Sequence, residues 1–197
     1  MAGVTIIIKA SPGASPGPGP ALARACLVAA LLVALVAAPL AARAEALRAA
    51  VFPFELDDTS LLSTGATGPG AAARARLKLI DGQLRDLLAQ SGRYEPVPLG
   101  PDVLRAAADE RLQTCDGCEV PLAREAGADV SVIGWVQKVS NLILNVNLVI
   151  RDVKTGRVLE EGSVDIRGDN DESWTRGLAY LLHNRLKIGA VQPGHDR

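Results

Sequence analysis

The sequence predicts an α/β chain of the α+β type, a two-layer sandwich with helices packed mainly on one face of a mixed five-stranded sheet, in the order β-α-β-α-α-β-β-β-α. Three observations carry that expectation. Residues 130–167 hold three consecutive β-type runs separated by short reversals, Ala71–Gln90 shows an apolar stripe at helical spacing, and a second such stripe runs from Trp174 to Leu186.

Leu47–Leu56 (LRAAVFPFEL) is a short apolar run ending in acidic residues and supplies the first strand, although Pro53 cannot donate to a ladder in a central position. Thr59–Gly70, rich in Gly, Ser and Thr, is a loop. In the helix that follows, Leu77, Ile80, Leu84, Leu87 and Leu88 share one face, and Ser91-Gly92 ends it. Tyr94–Leu99, broken by Pro96 and Pro98, allows only a short edge strand. Pro101 suits the first turn of a helix and Asp102 follows it, which places a second helix at Pro101–Leu112. Cys115-Asp116-Gly117-Cys118 leads directly into a third, Glu119–Ala126, stopped by Gly127.

The meander is read by parity, because successive side chains on a strand face opposite ways. Val130–Val139 is apolar on both faces and suits a central strand. In Leu142–Arg151 one face carries Leu142, Leu144, Val146, Leu148 and Ile150, while the other carries Ile143, Asn145, Asn147, Val149 and Arg151. Asn is depleted in strands, so two of them in mid-strand mark a wet face. Arg157–Arg167 has Val158, Val164 and Ile166 on one side and Glu161, Ser163, Asp165 and Arg167 on the other. Ser140-Asn141 and Asp152–Gly156 make the reversals. The last helix starts at an Asp169–Glu172 capping box and carries Trp174, Leu178, Leu181, Leu182 and Leu186 on one stripe.

The first 44 residues contain no acidic residue and only Lys9, Arg24 and Arg43 as cations. They enclose the apolar run Ala25–Ala38, too short for a span of about 20 residues but right for a signal-peptide core, and Ala42-Arg43-Ala44 supplies small residues at the cleavage positions. Residues 1–44 are therefore expected to be a signal peptide cut after Ala44, followed by a single α/β domain over 45–188 and a disordered tail over 189–197. Cys26 follows Ala23-Arg24-Ala25, not a Leu-led lipobox, which argues against lipidation there. The chain of 197 residues has 21 cations and 22 anions; without the leader 153 residues remain with 18 against 22, a net charge of −4. A mildly acidic chain without a basic stripe argues against nucleic acid as a partner. No other long apolar segment remains, so no stable membrane insertion is expected after cleavage.

Cys115 and Cys118 are the sharpest local signal. In an exported chain they should be oxidised, and the short ring contributes roughly 2 kcal/mol by loop-closure entropy. A redox pair is the rival reading, because a thiolate at a helix start is stabilised by free N–H groups. Against it, no thioredoxin-type strand precedes the motif and Asp116 disfavours a thiolate. Zinc is not expected, since only one such motif exists and His183 and His195 show no ligand spacing. Asp169, Asp171 and Ser173 match the start of a calcium loop, but Trp174 stands where Gly is needed and Tyr180 where a bidentate Glu belongs, so a helix cap accounts for them. Glu160/Glu161 point opposite ways on a strand and make no catalytic dyad. No nucleophile elbow or phosphate-cradling loop is present, and no cofactor is expected. What remains is a polar surface: Lys138, Ser140, Asn141, Asn145, Asn147, Asp165, Arg167, Asp169 and Asp171, gathered near one face or end of the meander.

The strings Cys115-x-x-Cys118-Glu119, Gly127-Ala128-Asp129, GWVQKVSNLILN (Gly134 to Asn145), SVDIRG (Ser163 to Gly168) and DESW-x-RG (Asp171 to Gly177) resemble an uncharacterised family of secreted bacterial proteins, a domain of unknown function. More distantly, the opening Val51–Phe54 strand, the Gly-Ala-Asp and the Asp152–Gly156 turn resemble the TolB amino-terminal domain and its CsgG-like relatives. That resemblance implies a fold and a habit of binding other envelope proteins, and no active site. The expectation is a non-enzymatic periplasmic accessory protein that binds another envelope protein. A thiol-disulfide oxidoreductase using Cys115 and Cys118, and a small-ligand binder with a pocket between the sheet and helix Ala71–Gln90, stay open as alternatives.

Overall fold

Pro53 has no amide hydrogen to donate, and it divides the first strand in two. In the computed structural model, which describes residues 45–60 and 68–189, β1 (Leu47–Val51) and β2 (Glu55–Asp58) are followed by helix α1 (Ala71–Gln90), β3 (Tyr94–Pro96) and α2 (Pro101–Glu110). A 3₁₀ turn at Leu112–Thr114 and α3 (Glu119–Glu125) lead into β4 (Val130–Lys138), β5 (Ile143–Asp152) and β6 (Val158–Arg167). α4 (Asp171–Tyr180) continues into a π turn at Leu181–Arg185. The expected leader and its cleavage site, residues 61–67 of the loop and the tail from Ala190 lie outside the described residues.

The sheet is mixed, as expected, but it has six strands where five were expected. Its order is β3-β1-β4-β5-β6, with β2 also paired to β4. β1 and β2 both run parallel to β4, Val51 standing opposite Val132 and Glu55 opposite Trp135. Four steps on one side thus match three on the other. The extra residue makes a bulge at Pro53, where a missing N–H does no harm. Asp81 of α1 fills in across the gap: its Oδ1 accepts the Phe54 amide at 2.7 Å. Burial pushes the Asp81 carboxyl up from its ordinary value, against the pull of that amide and of Arg85.

The larger core lies on the even-numbered face of β4 and β5. Val132, Val136, Leu144, Val146, Leu148 and Ile150 pack there against Leu77, Ile80, Leu84 and Leu88 of α1 and against Trp174, Leu178, Leu181 and Leu182. Gly177 brings α4 so close to β6 that a Cβ at this position would overlap Ile166 Cγ2. On the opposite face a smaller core of Ala50, Phe52, Ile133 and Val153 lies under Val103 and Ala107 of α2 and Val120 and Ala123 of α3. These two short helices cover only the part of that face nearest β1 and the start of β4.

Parity misplaces two residues at the ends of strands. A register shift between Ile150 and Arg151 sets Val158 opposite Arg151 instead of on the core side, and Val158 is 41% exposed. Leu142, expected in the core, is 72% exposed because it sits in the β4–β5 turn beyond the reach of the helices. Glu160 turns inward. It accepts from Arg93 Nη2 at 2.6 Å and from the Tyr94 hydroxyl at 3.2 Å, so side chains join the two outer strands, β3 and β6, across the larger core. Among the described residues, no helix is long and apolar enough to cross a membrane.

Candidate functional site

Among the described residues, no helix covers the odd-numbered face of β5 and β6 except at its far end, where α3 and its cluster reach Val149 and Arg151. Asn145 pairs across the ladder with Asp165 and Asn147 with Ser163, and the Asn145 amide donates to Asp165 Oδ1 at 2.8 Å. Gln137 of β4 stands on the other side of Asn145, and Ile143, 42% exposed, stands opposite Arg167. Asn147 stands opposite the half-buried Trp135 of β4, so the polar pair has an aromatic ring on one side. Asn145 meets the cross-strand carboxylate, and Asn147 Nδ2 donates to the Asn145 backbone carbonyl at 3.5 Å.

Ser140 and Asn141 close the hairpin at one end of this face. Ser140 Oγ accepts the amides of Leu142 and Ile143 at 3.2 and 3.1 Å, a Ser-turn arrangement. The Asn141 carbonyl accepts from the Asp169 amide at 3.0 Å. Val139 and Leu142 are exposed at the tip.

Lys138, Asp169 and Asp171 do not join that face. Lys138 has even parity and points the other way, and its Nζ meets Asp169 Oδ2 at 2.7 Å. Arg76 of α1 completes the cluster, with Nη1 on Asp169 Oδ1 at 3.0 Å and Nε on Asp171 Oδ1 at 2.9 Å. Lys138, Asp169 and Arg76 are each less than a fifth exposed, so the cluster ties α1 to the start of α4 in a partly desolvated setting. The expected Asp169–Glu172 cap is corrected here. The N-cap is Asn170, whose side chain accepts the Ser173 amide at 2.9 Å, and Asp169 is committed to Lys138 and Arg76. The nine surface candidates therefore divide into an open-face set (Asn145, Asn147, Asp165, Arg167), a hairpin pair (Ser140, Asn141) and an ion-pair set (Lys138, Asp169, Asp171).

Cys115 and Cys118 lie at disulfide-bonding distance with their Cα atoms 5.9 Å apart, inside the usual range for a disulfide. Gly117, at φ +94°, makes the turn between them. Asp116, read from sequence as a charge hostile to a thiolate, is paired: Arg151 Nη2 donates to its Oδ1 at 2.6 Å. Arg151 Nε also donates to Glu119 Oε1 at 3.0 Å, and its Nη1 to the Gly156 carbonyl at 3.0 Å. Burial alone would weaken the Arg151 charge, but the hydrogen bonds to Asp116 and Glu119 outweigh it and hold its pKa above the ordinary value. Arg76, Arg151 and the Asn170 cap were invisible to motif reading. Each is a single polar residue whose partner lies far away in sequence or in an unremarkable local pattern.

The space between the sheet and α1 is filled by Ile80, Leu84 and Leu88, all fully buried. A hollow of about 400 Å³ opens at the end of this layer instead, beside Phe54, Leu56, Leu77, Leu104, Ala107 and Leu112.

The described residues form a small mixed sheet covered by helices on one face and half open on the other. The chain belongs to the family DUF3280, described as a protein of unknown function (DUF2380), whose model matches residues 47–186. No curated protein matches the chain. Among solved structures it is similar to the LpoB C-terminal domain from Salmonella enterica, at 15% identity and a TM-score of 0.43, covering 70% of this chain and 92% of that one. It is similar to lipoprotein GNA1162 from Neisseria meningitidis at 14% identity and a TM-score of 0.44, covering 73% of this chain and 98% of that one. The likeness to TolB from Acinetobacter baumannii is lower, a TM-score of 0.36 at 12% identity, covering 69% of this chain and 28% of that one.

Proposed function

We propose that the chain is a non-enzymatic accessory protein of the bacterial cell envelope, exported to the periplasm, which binds another envelope protein through the open face of β5 and β6. The observation that carries this reading is that face itself. Asn145, Asn147, Asp165 and Arg167 occupy ladder positions that a stability-driven sequence would fill with β-branched residues, while exposed Val139, Leu142 and Ile143 rim one end. A polar, rigid, half-covered sheet bordered by a few apolar side chains is the mixture found at non-obligate interfaces. The leader-like composition of residues 1–44 supports export. The ion-pair set around Asp169 serves on this reading as the brace that fixes α4 against α1, holding β6 and its following turn in place.

A photoreactive residue placed at Asn145 in cells expressing the chain tests the proposal. One discrete crosslinked protein is expected from this position. Loss of that product at Asn145, with crosslinks persisting from an exposed control such as Lys78 on the outer side of α1, would overturn it.

A further inference from the structure

Beside the cysteine pair stands a carboxylate in an unusual state. Glu119 is fully buried; its Oε1 accepts from Arg151 Nε at 3.0 Å and from Ser131 Oγ at 3.4 Å, but its Oε2 has no hydrogen-bond partner among the described residues. Leaving a buried acceptor unsatisfied is costly, and such an atom calls for an explanation. The Sγ atoms of Cys115 and Cys118 and a carboxylate oxygen of Glu119 all lie within 4.8 Å of one another.

We propose that, when the Cys115–Cys118 pair is reduced, its two thiolates and Glu119 Oε2 form a binding site for a thiophilic divalent cation, with Zn²⁺ the ion it fits. The donor set decides the metal. Two sulfurs and one oxygen match zinc, which takes Cys and carboxylate ligands in tetrahedral geometry, whereas magnesium and calcium require oxygen ligands throughout. Zinc bond lengths of about 2.3 Å to sulfur and about 2.1 Å to oxygen set donors roughly 3.6 to 3.8 Å apart, so on reduction the two sulfurs move apart from bonding distance while the Glu119 oxygen, already within 4.8 Å of them, completes the set by side-chain rotation. Both cysteines are only half-buried, which leaves an entry path and a fourth position for water. Arg151 offsets part of the negative charge without blocking the site, because Nε, Nη1 and Nη2 already donate to Glu119 Oε1, Gly156 and Asp116.

The chemistry balances with an external dithiol. It gives up two electrons and two protons and becomes a disulfide, while the Cys115–Cys118 bond breaks to two thiols. Metal binding then releases the two thiol protons. The oxidised pair offers no thiolate, so the same corner is a covalent staple in one redox state and a metal site in the other. Sequence reading set zinc aside because no His shows ligand spacing; the third donor is instead the residue that directly follows Cys118.

The test uses the full chain with Cys26→Ser, so that no other thiol is present, reduced with a phosphine and titrated with Co²⁺ and then Zn²⁺. One equivalent of Co²⁺ should produce thiolate-to-cobalt charge-transfer absorption in the near ultraviolet, together with visible bands of tetrahedral intensity, all bleached by one equivalent of Zn²⁺. Glu119→Gln should weaken binding by about tenfold or more, since even outer-shell changes cost roughly 10–100-fold; Cys118→Ser should remove the charge-transfer band; the unreduced chain should bind nothing. Should Glu119→Gln fail to fold, Glu119→Asp keeps the charge but withdraws the oxygen by one methylene, and weaker binding is expected of it as well. Absence of the cobalt spectrum in a chain with two titratable thiols would sink the proposal, and so would a folded Glu119 variant with unchanged affinity.

Discussion

Strand β5 presents two faces that differ in almost everything except their backbone. On one, Leu144, Val146, Leu148 and Ile150 are each fully buried under α1 and α4. On the other, Asn145 and Asn147 are half-buried beside Gln137 and Trp135 of β4, and only Val149 and Arg151, near the far end, come under the smaller helical layer. The difference teaches that one strand can be fixed in register by its covered side alone. A one-residue slip would send the whole apolar set to the wet side, so the open face is released from any duty to stability and can carry polar residues.

That contrast is most directly broken from the covered side. Leu148→Ala removes a fully buried side chain at the centre of the sheet, and the loss of about 2 to 5 kcal/mol expected for such cavities should appear as a large drop in the urea midpoint. Gly177→Ala belongs with it. Its added methyl meets Ile166 across the α4–β6 contact, and overpacking of this kind costs about 1 to 3 kcal/mol.

The cysteine corner comes next. Cys115→Ala with Cys118→Ala should lower stability by about 1 to 3 kcal/mol, the range for a short loop, and leave the circular dichroism spectrum unchanged. The intact chain should neither reduce insulin disulfides nor oxidise reduced substrates above background. Turnover that disappears in the double variant would replace the binding reading with an oxidoreductase.

On the open face the sign should change. Asn147→Val places a strong strand former where the ladder has Asn, and a gain of stability within about 1 kcal/mol is expected. Paired with loss of the Asn145 crosslink, that outcome would separate binding from folding. A marked loss of stability would instead show that the Asn side chains brace the sheet.

How much of this was legible in the sequence depended on the range of the interaction. Ala71–Gln90, the meander and the short edge strand at Tyr94 follow from periodicity and Pro placement, which are local; the structure has the helix and the meander within a residue, and the edge strand ends three residues early, at Pro96. The break at Pro53 was signalled, but its result was not: proline marks where the ladder must fail, while the bulge that lets β1 and β2 both pair with β4 depends on a partner about 80 residues away. The surface candidates were read as one group because parity assigns a face within a strand and says nothing of turns. Lys138 and Asn145 lie close along the hairpin yet point to opposite sides. Arg76 and Arg151 gave no signal at all, being single charges on an amphipathic helix and a strand whose acids come from other elements.

The smallest expected effect concerns how the covered side is closed at its edges. Tyr94 and Glu160 belong to the two outer strands, β3 and β6, and the Tyr94 hydroxyl donates to Glu160. Burial, and then the Glu160 charge, push the Tyr94 phenol up from 10.0 to about 12. A group whose folded pKa is raised binds its proton more tightly in the folded state, so its contribution is complete below the unfolded pKa and is lost as pH rises from about 10 to about 12. Urea unfolding at intervals from pH 8 upward should therefore show stability falling through this window. Tyr94→Phe keeps the ring and removes the proton: it should cost about 0.5 to 1.5 kcal/mol at pH 8, the net worth of one hydrogen bond, and flatten the alkaline slope. Glu160 keeps Arg93 as a partner at 2.6 Å in that variant, which limits the loss. An alkaline slope that survives Tyr94→Phe would place the titrating group elsewhere and leave the two edges of the sheet joined by Arg93 alone.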